Sequence, residues 1–181
     1  MKTTEVLVIG SGLAGIIAAL TAADAGRKVI VVTKTNEIMS GSTPWAQGGI
    51  IFRGDDDSPE KLKSDILLAG DGASWEPAVD QLVKLGPQLV QEILIDKYNV
   101  SFDYDKEHLD FTEEGAHSVR RIIHSKDKTG KAIHEAIIPY LLNNKNIAVS
   151  NIYINECIKK RKFNEVFNTI AERKDGVNVI I

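Results

Sequence analysis

An α/β fold, with a parallel sheet, a helical insertion and a C-terminal antiparallel β-meander, is predicted by three features of this 181-residue chain. Two all-apolar runs, Val6–Ile9 and Val29–Val32, have the pattern of strands buried on both faces of a parallel sheet. Between them lie a glycine turn and a stretch whose apolar residues recur three and four apart, giving strand, helix, strand. The composition, 43% hydrophobic and 26% charged, is that of a globular chain and excludes disorder.

Charge and cysteine content narrow the function classes. Lys and Arg number 22 against 25 Asp and Glu, so no basic excess exists to hold a phosphate backbone, and nucleic acid is not an expected partner. Cys157 is the single cysteine, which excludes an internal disulfide or a multi-cysteine metal site and fits a reducing, cytoplasmic setting. Val6 to Ala23 is an uncharged run of 18 residues, long enough to raise the question of a membrane span. Gly10-Ser11-Gly12 interrupts it and Asp24 closes it, so no membrane insertion is expected.

A βαβ core is expected over 5–34. Ile16, Ile17, Leu20 and Ala23 mark the helix face, and Gly26 supplies the stop. An irregular loop over 40–53 follows, of a length that is usually functional. A helical segment spans 58–97. Ser58-Pro59 reads as an N-cap followed by proline at the first helical position, and Leu62, Ile66 and Ala69 form the apolar side. A second tract starts near Ser74 and carries Val79, Leu82, Val83, Leu89, Val90, Ile93 and Leu94. Gly86-Pro87 inside it predicts two helices or a sharp kink.

Over 100–130 the pattern predicts strands at 100–104 and 119–124, with a turn at Asp105-Lys106-Glu107. From 131 the chain returns to the sheet. A helix starting at Thr129 carries Ile133, Ile137 and Leu141 and is bent at Pro139, and a strand follows at Ile147–Val149. The meander is expected from Ile152 onward. The closing apolar run Val177–Ile181 leads to the expectation that more protein follows.

The strongest local signal is Gly10-Ser11-Gly12-Leu13-Ala14-Gly15, a full G-x-G-x-x-G between a buried strand and an amphipathic helix. Gly10 permits the tight exit, Gly12 lets backbone approach a pyrophosphate, and Gly15 allows close helix–sheet contact. The first helical amides face the phosphate, where the helix dipole adds about 0.3–1 kcal/mol. A dinucleotide is the expected ligand. The second strand ends in Thr33-Lys34, where such folds normally place a ribose-binding acid; Lys34 can instead donate to phosphate or ribose oxygen, which disfavours ordinary NAD binding. Downstream, Gly41-Ser42-Thr43-Pro44-Trp45-Ala46-Gln47-Gly48-Gly49-Ile50 offers hydroxyls, an amide and paired glycines suited to wrapping a flat polar ligand.

These elements resemble the flavoprotein family of succinate dehydrogenases, fumarate reductases and L-aspartate oxidases. Gln47-Gly48-Gly49-Ile50 is similar to that family's glycine pair beside the isoalloxazine ring of FAD. Thr112-Glu113-Glu114-Gly115-Ala116-His117-Ser118-x-Arg120-Arg121, continuing to Asp127-Lys128-Thr129-Gly130, resembles the aspartate oxidase version of this segment, with Ala116 where that version has glycine. The resemblance covers essentially the whole chain. It implies a Rossmann-like FAD-binding fold, incomplete relative to the family, with residues 1–181 the N-terminal part of the FAD-binding domain and 100–130 on the substrate side.

The resemblance also implies residue roles. Ser42 stands where succinate dehydrogenases and fumarate reductases carry the histidine that bonds covalently to FAD, so the flavin is expected to be non-covalent. Glu114 aligns with an acidic residue that aspartate oxidases use near the substrate ammonium group. A dicarboxylate without an amine would be repelled by it. Expected cofactor contacts are Gly10, Ser11, Gly12, Leu13, Ala14, Gly15, Lys34 and Ser42 through Gly49.

Read from the residues alone, His117 and His124 flank Arg120 and Arg121, which suggests an anion-facing role for one arginine. No third ligand has metal spacing, so no metal is expected. His108 and His134 read as surface groups. The implied reaction is FAD-dependent oxidation of L-aspartate to iminoaspartate on the route to quinolinate and NAD, with oxygen or fumarate as acceptor and quinolinate synthase as a partner. In the family a catalytic arginine and a capping domain lie beyond residue 181. A succinate- or fumarate-handling flavoprotein and a non-catalytic dinucleotide-binding module remain the alternatives.

Overall fold

Four strands run parallel in one sheet, and the chain's first apolar runs form its centre. The computed structural model describes residues 4–151 and 178–180. Strand β1 (Val6–Ile9) leads into helix α1 (Leu13–Asp24) and strand β2 (Val29–Thr33), which pairs with β1 from Val6 opposite Val29 to Ile9 opposite Val32. Strand β8 (Ile147–Asn151) flanks β2, and β9 (Asn178–Ile180) flanks β1, giving the order β8-β2-β1-β9. Val8 and Val31 have no exposed surface, nor do Ile16 and Ala19 of α1. Burying each valine or isoleucine contributes about 1.5–3 kcal/mol.

The 18-residue apolar run is thus strand, turn and helix. Among the described residues no helix is long and apolar enough to cross a membrane. Gly26, at φ +80°, ends α1 as expected, with its amide and that of Arg27 donating to the carbonyls of Ala23 and Ala22.

The chain divides into two compact units, 1–44 with 137–181, and 45–136. The second has its own sheet and helices. Short strands β3 (Ile50–Ile51), β7 (Ile122–Ile123) and β6 (Phe111–Thr112) pair antiparallel in the order β3-β7-β6. Helix α2 (Pro59–Ala69) opens on the expected cap, Ser58 Oγ accepting the Lys61 amide at 3.2 Å. Leu62 packs with Val79 and Val83 of α3 (Glu76–Leu89) in one core cluster of this unit, against Ile51, Ile66 and Leu67.

Three expectations change here. The tract does not split into two helices at Gly86-Pro87: α3 runs through Pro87 to Leu89 and continues as a π-helix over Val90–Lys97. Pro87 has no N–H for the Val83 carbonyl four residues earlier, and Arg53 Nη2 donates to that carbonyl instead at 3.2 Å. The wider π turn shows in the Tyr98 amide, which reaches back five residues to the Ile93 carbonyl at 3.0 Å. Second, 100–104 is not a strand. Val100 and Phe102 are buried in irregular chain, and a hairpin of β4 (Tyr104–Asp105) and β5 (His108–Leu109) turns at Lys106, whose φ is +56°. Third, the strand expected over 119–124 is confined to Ile122–Ile123.

Helix α4 (Thr129–Asn143) forms with Pro139 inside it, and Ile137 and Leu141 are fully buried. His134 on the same helix has no exposed surface, which corrects its reading as a surface group; His108 is exposed. The meander expected from Ile152, with Cys157, lies outside the described residues as far as 177. The chain that follows, Asn178–Ile180, joins the parallel sheet rather than an antiparallel one.

Gly15 shows how tightly α1 lies on β1. A Cβ there would run into the Gly10 carbonyl oxygen and come within 3.3 Å of Val8 Cγ1. Backbone cannot move aside as a flexible side chain could. Gly15→Ala is expected to destabilise the protein by about 1–3 kcal/mol, read as a lowered urea midpoint with an unchanged slope.

Candidate functional site

In the first unit a cleft of about 340 Å³ opens at the carboxyl ends of β1 and β2. It is lined by Ile9 to Gly12, Val32 to Lys34 and Ser40 to Thr43. The sheet order explains its place. The chain leaves β1 toward β2 on one side while β9 lies on the other, and ligands of open α/β sheets sit where the connections part in this way.

Each glycine of the turn acts by a different means. Gly10 sits at φ +107° with open space around it, so its requirement is conformational. Gly12 is the α1 N-cap and brings no side chain to the helix end; a Cβ there would stand 3.3 Å from Thr43 Oγ1. Gly15 is required by the helix contact described above. Thr43 Oγ1 accepts the Leu13 amide at 3.1 Å, tying the distant loop to the start of α1. The buried Ser11 donates to the Ile38 carbonyl at 2.7 Å and fixes the segment that follows Lys34. Ala14 occupies the exposed face of the first turn, and Lys34 and Ser42 are exposed at the cleft.

This donor set fits an anionic dinucleotide: a helix N-terminus whose N-cap, Gly12, brings no side chain and whose first amide alone is taken by Thr43, hydroxyls at Ser40, Ser42 and Thr43, and the Lys34 ammonium, beside a turn kept open by Gly10 and Gly12. Pro44 lies in the 3₁₀ turn Thr43–Trp45.

In the second unit the expected flavin-side bend is anchored to the start of α4. The Gly130 amide donates to the Ala46 carbonyl at 2.9 Å, and Thr129 Oγ1 donates to the Gln47 carbonyl at 3.4 Å. Trp45 is 79% exposed. Gly49 is at φ +98°, and a Cβ on it would meet Ile122 Cγ2 and the Ile123 carbonyl oxygen, so the bend lies flat on β7. A Cβ on Gly48 would strike the Glu114 carboxylate. The structure therefore brings Glu114 and the glycine pair together, from sequence positions some sixty-six residues apart.

The charged centre of this unit settles which of the two arginines could face an anion: not Arg121, which is fully buried. Asp57 grips it with both oxygens, Oδ2 accepting Nε at 3.0 Å and Oδ1 accepting Nη2 at 2.8 Å. Asp65 Oδ2 accepts Nη1 at 2.5 Å, together with the Ser118 amide and hydroxyl, both at 2.9 Å. Burial pushes the Asp65 carboxyl up, but the Ser118 amide, the Arg121 guanidinium and the Ser118 hydroxyl outweigh it and hold it below its ordinary value. Burial likewise opposes the charge on Arg121, and the two aspartates more than restore it.

Arg120 is the exposed neighbour, with its carbonyl backing Gly54. His124 Nδ1 lies 3.1 Å from Asp103 Oδ2 and its Nε2 3.5 Å from Asp110 Oδ2, while His117 donates its amide to the Glu114 carbonyl at 2.9 Å. Among the described residues no group of three or more His, Cys, Asp or Glu could hold a metal ion. Asp57, Asp65 and Ser118 went unnoticed as site-building residues because nothing in their spacing shows that they converge.

The comparisons with known proteins agree with this geometry. The family described as FAD binding domain matches residues 5–171. The chain belongs to that family. Its cofactor is FAD. The chain is similar to the L-aspartate oxidase of Halobacterium salinarum, 48% identical over 139 residues, which is 77% of this chain and 26% of that protein. The L-aspartate oxidase of Synechocystis sp. is 39% identical over 146 residues, 80% of this chain and 26% of that protein. The chain thus spans about a quarter of the length of these curated relatives.

Among solved structures, FrdA of the E. coli quinol fumarate reductase superposes with TM-score 0.74 at 23% identity, over 81% of this chain and 25% of that one. The Mycobacterium smegmatis Sdh1 complex gives 0.74 at 24%, over 82% and 27%. These two likenesses establish the fold.

A carboxyl held below its unfolded value adds stability above that value and loses it as the pH falls. The Asp65 contribution is therefore present at neutral pH and lost on acidification below about pH 4. Arg121→Met, which leaves two buried carboxylates without a cation, is expected to cost about 3–5 kcal/mol at pH 7. In urea titrations at several pH values, that deficit should shrink as the carboxyls protonate.

Proposed function

We propose that this chain is the N-terminal, FAD-binding part of a flavoprotein that oxidises L-aspartate to iminoaspartate, in the cytoplasm, on the route to quinolinate and NAD. The observation that carries the reading is the Glu114 carboxylate packed against Gly48 in the Gln47–Gly48–Gly49 bend. FAD bound there would supply the hydride acceptor, with oxygen or fumarate as the final electron acceptor. The chain's own residues bind and orient. The Gly10–Gly15 turn and the α1 amides hold the diphosphate, Lys34, Ser42 and Thr43 add donors beside it, and the loop from Pro44 through Gly49 holds the ring system. Ser42 has no ring nitrogen with which to bond the flavin, so the cofactor is held non-covalently.

Glu114 supplies a negative charge for the substrate ammonium group. Two unit charges about 4 Å apart attract by about 4 kcal/mol in a partly screened site, and the same charge repels a dicarboxylate that has no amine. This favours an amino dicarboxylate over succinate. The L-aspartate oxidases at 35–48% identity support the same choice. Quinolinate synthase is the partner this route implies, since iminoaspartate hydrolyses if it is not consumed.

The test uses the full-length protein. Acid precipitation should release all the flavin into the supernatant, and anaerobic addition of L-aspartate should bleach its absorbance. Glu114→Gln should raise KM for L-aspartate about tenfold or more, by the loss of a charge-assisted contact. Bleaching by succinate with none by L-aspartate would overturn the proposal.

A further inference from the structure

Residues 113–118 carry Glu114 through an irregular turn that belongs to no helix or strand. Such a segment should be mobile, yet one residue fixes both its ends. The Arg121 amide donates to the Thr112 carbonyl at 3.1 Å, just before the turn. The Arg121 side chain reaches Asp65 Oδ2, the oxygen that also takes the Ser118 amide and hydroxyl at the far end. Inside the turn the His117 amide closes onto the Glu114 carbonyl.

The charge count makes Asp65 hard to explain as a mere counter-ion. Asp57 already neutralises Arg121 through both oxygens, so the second carboxylate leaves the cluster with one net negative charge. Burying an extra carboxylate costs free energy and is weak evidence for stabilisation. What this carboxylate does in addition is grip Ser118 twice.

We infer that Asp65 and Ser118 are positioning residues: through them the buried Arg121 holds the Glu114 carboxylate at the place where the amine of an amino dicarboxylate is recognised. The inference rests on the proposed function and deepens it. It assigns amine selectivity to residues that never touch the substrate. Ser118 lies at the exposed edge of the cluster, and the bonds of Arg121 to Asp57 and Asp65 do not use its side chain.

The experiment uses the full-length holoenzyme, with steady-state kinetics for L-aspartate as donor and for fumarate, which has no amine, as acceptor. Ser118→Ala should raise KM for L-aspartate about tenfold, as loss of a hydrogen bond to a charged group would. It should leave kcat within about twofold and should not raise KM for fumarate, which the Glu114 charge repels rather than holds, and Ser118→Thr, which keeps the hydroxyl, should restore KM for L-aspartate. Combined with Glu114→Gln, Ser118→Ala should add no further rise. An unchanged KM for L-aspartate, an equal loss for fumarate, or additivity with Glu114→Gln would each overturn the inference while leaving aspartate oxidation standing. A wild-type enzyme that does not oxidise L-aspartate would overturn both.

Discussion

A guanidinium with no exposed surface is tolerable only if every donor finds an acceptor, and the second unit is built around meeting that demand for Arg121. Meeting it draws together the turn before α2, the body of α2, strand β7 and the irregular chain between β6 and β7. Apolar contacts do part of this work, through the cluster of Leu62, Val79 and Val83 with its half-buried neighbours and through buried Val100, Phe102, Ile122 and Ile123. In so small a unit, an ion cluster supplies the directional constraints that apolar contacts cannot.

The first unit obeys a different constraint, absence of side chains. Its cleft stays open because the turn between β1 and α1 carries glycine where a side chain would intrude. Three glycines shape that turn for three reasons: a positive φ at Gly10, an N-cap without a side chain at Gly12 and a close helix–strand contact at Gly15. Side-chain donors arrive from elsewhere, Thr43 from the long loop and Lys34 from the end of β2. The same loop that provides Thr43 passes on to the flat glycine bend on β7.

Legibility differed between these two constructions. The βαβ core, the turn, the Ser58 cap and the Gly26 stop could be read from the sequence because each depends on neighbours within a few residues. Lys34 was legible from its place at the end of the second strand, whereas Ser42, some thirty positions from the glycine turn, was singled out by the family resemblance; both line the cleft. Arg121 was not, because its partners Asp57 and Asp65 are separated from it by 64 and 56 positions. A pair of adjacent arginines gives no sign of which is buried. His134 was misread as a surface group although its helix face, with Ile133 and Ile137, is buried. The strand expected at 100–104 failed because alternation in so short a run is also what two buried anchors, Val100 and Phe102, produce in irregular chain.

Arg53 illustrates how a surface residue acquires a structural duty. Its guanidinium donates to the Val83 carbonyl, thirty positions later, which Pro87 leaves without a helical N–H, so the helix keeps a hydrogen-bonded interior despite a residue that should interrupt it. The two positions are therefore linked in energy: without the proline ring the arginine's bond would be redundant, whereas without the arginine this carbonyl would lose the donor that stands in for the missing helical N–H.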